Sequence, residues 1–135
     1  MFLPLNWRLA AEEVCYILDH AQAKALVSEA AFYRVLDPVL PTLGGIRLRL
    51  SLDSAPPAGW RAYTSAVEEQ LKRGGHVADA EVGEDDLHRL MYTSGTTAHP
   101  KGVMLSYANL YWKNLAHILE FGLSSADRTL IIGPL

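Results

Sequence analysis

Between Tyr92 and Gly102 the chain reads Thr93-Ser94-Gly95-Thr96-Thr97-Ala98-His99-Pro100-Lys101, which concentrates hydroxyls, a glycine and a cation in one short stretch. Thr93, Ser94, Thr96 and Thr97 each supply a hydroxyl that can donate and accept hydrogen bonds. Gly95 lacks a Cβ and lets the backbone come close to a ligand. Lys101 contributes a positive charge. Together these are the parts of an anion-binding loop, and phosphate is the anion they suit. The plain alternative is a polar turn between two strands whose hydroxyls only satisfy one another.

The flanks must hold such a loop in place. Leu87 to Tyr92 carries large apolar residues, and Val103-Met104-Leu105 is a short apolar run stopped by Ser106, so both sides predict short strands around a loop. A Walker phosphate loop needs a different spacing and a helix directly after its lysine. Here Gly95 stands six positions before Lys101, and Gly102 and a strand-like run follow. No helix dipole is therefore on offer at this point, and the grip must come from hydroxyls, loop amides and Lys101.

The string resembles, at almost every position, the phosphate-binding signature of the adenylate-forming enzymes, the superfamily of acyl-CoA synthetases, peptide-synthetase adenylation domains and luciferases. That signature reads (Thr/Ser)-Ser-Gly-Thr-Thr-Gly-x-Pro-Lys-Gly, and the departure here is Ala98 in place of its second glycine, the one after the paired threonines. If that position takes a positive φ, alanine costs roughly 1 kcal/mol or more. The likeness extends along the chain. Phe2-Leu3-Pro4-Leu5-Asn6-Trp7-Arg8-Leu9, the following Ala11-Glu12-Glu13, and Lys24-Ala25-Leu26-Val27 resemble the family's early segments. Asp85-Asp86-Leu87 and Gly102-Val103-Met104-Leu105-Ser106 resemble the approaches to its loop, and Gly133-Pro134-Leu135 resembles the opening of a "PLFHxxG" segment. Ala10 replaces a usual capping Thr, and Tyr107 stands where His is common.

The resemblance implies that Thr93, Ser94, Gly95, Thr96, Thr97 and Gly102 wrap the β- and γ-phosphates of ATP while Lys101 helps neutralise them. It implies attack of the carboxylate of a small-molecule carboxylic acid, whether fatty, aromatic or short, on the α-phosphorus, giving an acyl-adenylate and pyrophosphate, then transfer to a thiol, usually that of CoA. Mg²⁺ and CoA would be held mainly by residues outside this chain. Residues 1–135 are then expected to be part of a large N-terminal AMP-binding domain, inactive alone, with earlier strands before Met1 and the adenine and acyl pockets after Leu135. A peptide-synthetase adenylation domain and a non-catalytic truncated fragment are the rival readings.

Composition is compatible with this. The 135 residues are half apolar, enough for a core, and the formal charge of -3 makes no electrostatic case for nucleic acid or an anionic membrane. Cys15 is the only cysteine, which suits a small apolar role on a helix and a reducing compartment. The N-terminus has no secretory pattern and no run approaches the roughly 20 apolar residues of a membrane span, so a cytoplasmic location is expected.

In chain order, Phe2 to Leu5 reads as the tail of a buried strand. Val14, Ile17, Leu18 and Ala21 fall on one face of a helix over 10–22, with Glu12 and Glu13 in its first turn and no side-chain cap at Ala10. Lys24 to Val27 predicts a strand, Ser28 a cap, and Ala30 to Leu36 a helix ended by Pro38. Ile46, Leu48, Leu50 and Leu52 alternate with Arg47, Arg49, Ser51 and Asp53, a strand whose arginine face is expected in solvent. Ser65-x-x-Glu68 predicts a capping box opening a helix to Lys72, closed by Gly74-Gly75.

Asp79, Glu81, Glu84, Asp85 and Asp86 read as a solvated loop without metal-ligand spacing. Ser106 can cap a helix to Phe121, with Leu115, Ile118 and Leu119 toward the core and Gly122 as its stop; Thr129 to Ile132 is strand-like. The histidines His20, His76, His88, His99 and His117 form no recognisable ligand cluster in sequence. Helices alternating with strands predict a layered α/β fold with a largely parallel sheet and flanking helices, cut at both ends. Open sheet edges in a cut domain make association between copies an expectation.

Overall fold

Ala10 has no oxygen with which to cap a helix, yet the helix after it starts cleanly because Glu13 reaches back and its carboxylate accepts the Ala10 N–H at 2.9 Å. The computed structural model describes residues 1–74, 79–93 and 99–130. Helix α1 (Ala11–His20) buries Val14, Ile17 and Leu18, the stripe its sequence spacing predicts. Val14 and Leu18 join Leu26, Leu36, Leu40, Leu43 and Trp60 in one apolar cluster. Each such side chain is worth about 1.5–3 kcal/mol when fully removed from water. Cys15 lies partly buried against this cluster.

Strand β1 (Ala25–Ser28) pairs in parallel with β2 (Leu48–Ser51), which pairs in parallel with β3 (Arg61–Ala62). Between β1 and β2 the chain makes a 3-10 turn at Ala30–Phe32, the short helix α2 (Tyr33–Leu36) and a second 3-10 turn at Leu40–Thr42. Ser28, expected as a cap, is instead the last residue of β1. Asp53 does the capping from across the sheet: its Oδ2 accepts the Ala30 N–H at 2.7 Å.

Strand β2 turns the expected faces over. Ser51 is wholly buried, while Leu48 is 40% and Leu52 59% exposed, together with Val27 at 51% on β1. The helices cover the face of Leu26, Ser51 and Ala62. A buried hydroxyl must be bonded, and Ser51 is: it accepts from Tyr33 Oη at 2.5 Å and from the Asp53 N–H at 2.9 Å. Arg47 is exposed as expected, but Arg49 lies half-buried; on the other face Leu48 and Leu52 are exposed, while Leu50 is half-buried and Ile46 packs partly against the core.

Helix α3 (Tyr63–Lys72) begins before Ser65, with Ala62 at its N-cap, so the expected capping box does not open it. Glu69 instead ties it to β3 through Arg61 at 2.5 Å and to its own last turn through Arg73. Gly74 follows at φ +64°, the left-handed conformation expected there.

Strands β4 (Leu87–Thr93) and β5 (Lys101–Ser106) pair with each other antiparallel, in a second sheet beside the parallel one. Phe2 adds a single parallel bridge at Arg89, donating to His88 O and accepting from the Leu90 N–H, both at 2.9 Å. Phe2 itself is 62% exposed and makes an isolated bridge rather than a strand, while Leu3 and Leu5 pack partly buried against the core cluster.

Helix α4 (Tyr107–Phe121) is capped as predicted: Ser106 Oγ accepts the Asn109 N–H, Asn109 Oδ1 accepts the Ser106 N–H at 2.9 Å, and Gly122 ends it at φ +61°. It buries no residue, however. Ile118 is 47% and Leu119 74% exposed, contrary to their expected core position. Thr129 and Leu130 are not in a strand, and the rest of that stretch, with Gly133 to Leu135, lies outside the described residues.

Candidate functional site

The β4–β5 hairpin presents the motif at its open end. Thr93 is the last residue of β4 and Lys101 the first of β5, and the register sets them directly opposite each other. One step back, Tyr92 faces Gly102. Side chains alternate along a strand, so Thr93 and Lys101 share one hairpin face and Tyr92 lies on the other. Thr93 and Lys101 are both exposed, which leaves a hydroxyl and an ammonium side by side and free to meet an anion. Ser94, Gly95, Thr96, Thr97 and Ala98 lie outside the described residues.

Gly102 has a packing reason to be glycine. A Cβ there would stand 3.2 Å from Tyr92 Cζ and 3.2 Å from Leu90 Cδ1, tighter than ordinary contact. The Tyr92 ring thus lies over the space that Gly102 leaves.

Tyr92 also leads to residues that sequence spacing did not bring together. Its hydroxyl lies 2.6 Å from His20 Nδ1 on α1. Tyr16, one turn earlier, stacks on His20 at 5.4 Å and on His99 at 4.8 Å between ring centroids. Partial burial raises the Tyr92 phenol above the ordinary tyrosine value, and the neighbouring Tyr16 adds to this. His20 and Tyr92 are 72 positions apart, so no local pattern could have linked them.

Two open cavities lie elsewhere. One of about 210 Å³ is bounded by Asp19, Gln22, Lys24 and Ile46; one of about 500 Å³ by Val82, Glu84, Tyr111 and Trp112. Neither is lined by a motif residue. Residues 79–86 are exposed, as their acidity predicts, and among the described residues no group of three or more His, Cys, Asp or Glu is placed to hold a metal ion.

The whole chain, residues 1–135, matches the AMP-binding enzyme family. The chain belongs to this family. Among AMP-binding relatives, an indoleacetate–CoA ligase of Aromatoleum aromaticum is 37% identical over 137 residues, covering 100% of this chain and 26% of its own length. The chain spans about a quarter of the curated relatives it matches. A solved anthranilate CoA ligase in complex with anthranoyl-AMP shares the fold, with a TM-score of 0.70 at 23% identity over 78% of this chain and 20% of that one. ATP-bound MatB from Rhodopseudomonas palustris aligns with a TM-score of 0.63 at 28% identity, over 87% of this chain and 22% of that one. The α/β architecture with a parallel sheet and helices is a fold shared with these solved CoA ligases.

Proposed function

We propose that residues 1–135 are part of the N-terminal domain of an ATP-dependent carboxylic acid:CoA ligase, and that the loop over 92–102 grips the β- and γ-phosphates of ATP. The observation that carries this is the Thr93–Lys101 pair, exposed and opposed at the mouth of a loop whose sequence, Ala98 apart, resembles the phosphate-binding signature, in a chain of the AMP-binding family. The activities of two relatives, the indoleacetate–CoA ligase and a feruloyl-CoA synthase of Amycolatopsis that is 34% identical over 135 residues, support a CoA ligase over an adenylation domain that loads a carrier protein.

In the proposed reaction a carboxylate oxygen attacks the α-phosphorus, the bond to the β-phosphate oxygen breaks, and pyrophosphate leaves with the negative charge. Lys101 meets that charge, and the hydroxyls of Thr93, Ser94, Thr96 and Thr97, with the loop amides at Gly95 and Gly102, donate to the phosphate oxygens. Charge stabilisation of this kind lowers the barrier when donors are held in place before the reaction. The thiol of CoA then attacks the acyl carbon and AMP departs. Mg²⁺ would screen the same phosphates; its ligands and those of CoA are assigned to residues beyond this chain. A cytoplasmic setting fits such a reaction, and among the described residues no helix is long and apolar enough to cross a membrane.

The test is carboxylate-dependent exchange of labelled pyrophosphate into ATP by the intact protein carrying this chain, with a panel of aryl and fatty acids. Exchange with at least one acid, an acyl-adenylate in the quench and a thioester on adding CoA are expected, and none of these from residues 1–135 alone. A protein that exchanges no pyrophosphate with any acid contradicts the proposal.

A further inference from the structure

We propose that α1 is the positioning element of the phosphate loop, holding its two roots through Tyr16 and His20. These residues are four apart and so lie on one helix face. At the incoming root, His20 Nδ1 and Tyr92 Oη are 2.6 Å apart, with the two rings edge to face at 5.9 Å. At the outgoing root, the Tyr16 ring stacks on His99 at 4.8 Å with 21° between planes. Tyr16 and His20 stack on each other at 5.4 Å, so the contacts form one continuous run from β4 through the helix to the far side of the loop.

The consequence concerns the phosphate ligands directly. Thr93 follows Tyr92, and Lys101 stands two residues after His99. Fixing Tyr92 and His99 against the same rigid helix therefore fixes the hydroxyl and the ammonium relative to one another. Gly102 completes the seat by leaving room for the Tyr92 ring, which His20 meets from the other end. The α1 stripe Val14, Ile17 and Leu18 anchors the helix in the core, so the roots are referred to the core rather than to solvent. Ordering these groups before ATP arrives removes an entropic cost from binding and from pyrophosphate departure. Tyr16 and His20 touch no phosphate in this scheme; they act through the loop.

The inference rests on the phosphate-binding reading of the loop, and its test separates the two. In the intact protein carrying this chain, His20→Ala, His20→Asn and Tyr92→Phe are compared with wild type by deuterium exchange of the peptides ending at Thr93 and beginning at His99, and by steady-state kinetics. Asn presents a polar atom where Nδ1 stands, so it is the rescuing variant; Tyr92→Phe deletes one oxygen and keeps the ring. His20→Ala and Tyr92→Phe are expected to speed exchange in both peptides and raise the KM for ATP about three- to tenfold, with the KM for the acid unchanged. His20→Asn is expected to restore most of both. Unchanged exchange, or faster exchange with an unchanged KM for ATP, overturns the positioning role. If the wild type uses no ATP, the phosphate reading falls on that result, and the exchange data alone still decide whether α1 holds the roots.

Discussion

Tyr92 sits where three constraints meet: the glycine opposite it, the histidine beside it, and the loop it leads into. Its phenol is pushed above the ordinary tyrosine value of 10.0 by burial first and by Tyr16 second. The folded chain therefore holds this proton to a higher pH than the unfolded chain does. The stability that goes with it is fully present below the unfolded value and is lost as pH rises through the folded one. In an alkaline titration followed by tyrosinate absorbance, Tyr92 is expected among the late-ionising phenols, and Tyr92→Phe should remove that late component. A Tyr92→Phe curve that loses only an ordinary tyrosine would contradict the assignment. Asp127 shows the opposite sign at the surface: the Ser124 N–H and hydroxyl hold its carboxylate below the usual range. The motif residues were legible because their chemistry is local. The Tyr16–His20–Tyr92–His99 group was not, because it is assembled only when α1 packs beside the hairpin.

The elements divide in the same way. Helix α1, its apolar stripe, the two strands around the loop and both ends of α4 follow from spacing and capping residues, and all are present. Ser106 is the clearest case, and Ser106→Ala should cost about 1 kcal/mol in denaturant unfolding, since the Asn109 N–H then loses its acceptor. A loss below about 0.3 kcal/mol would mean that water replaces the cap fully. What spacing could not decide was which face of an element is covered. The alternation in β2 names two faces, and the helices took the serine face because Tyr33 and Asp53 satisfy Ser51 there. Likewise the apolar residues of α4 mark a face, but the partner they would pack against is not among the described residues. The helix over 63–72 starts at Tyr63 with Ala62 as its N-cap, which puts Ser65 inside the first turn, so the Ser65-x-x-Glu68 signal does not open it.

At the scale of the whole molecule, the cluster around Val14, Leu18 and Trp60 is a true core, but large apolar side chains remain outside it on two surfaces. The open face of β1 and β2 carries Val27, Leu48 and Leu52; α4 carries Tyr111, Trp112, Ile118 and Leu119. Apolar patches of this kind mark surfaces made to be covered. The chain spans about a quarter of its relatives' length, 26% and 24% of two of them. The molecule therefore divides into a packed half that anchors α1 and a hairpin that presents the loop. Joining them, α1 brings the core's rigidity to Thr93 and Lys101. This end of the hairpin is proposed to carry the charge of departing pyrophosphate. The most direct measurement of this is carboxylate-dependent ATP–pyrophosphate exchange by the intact protein with Lys101→Ala. Loss of a charge-assisted contact should slow exchange about 10- to 100-fold, with the fold unchanged by circular dichroism. An exchange rate equal to wild type would remove Lys101, and with it the proposed phosphate grip, from the reaction.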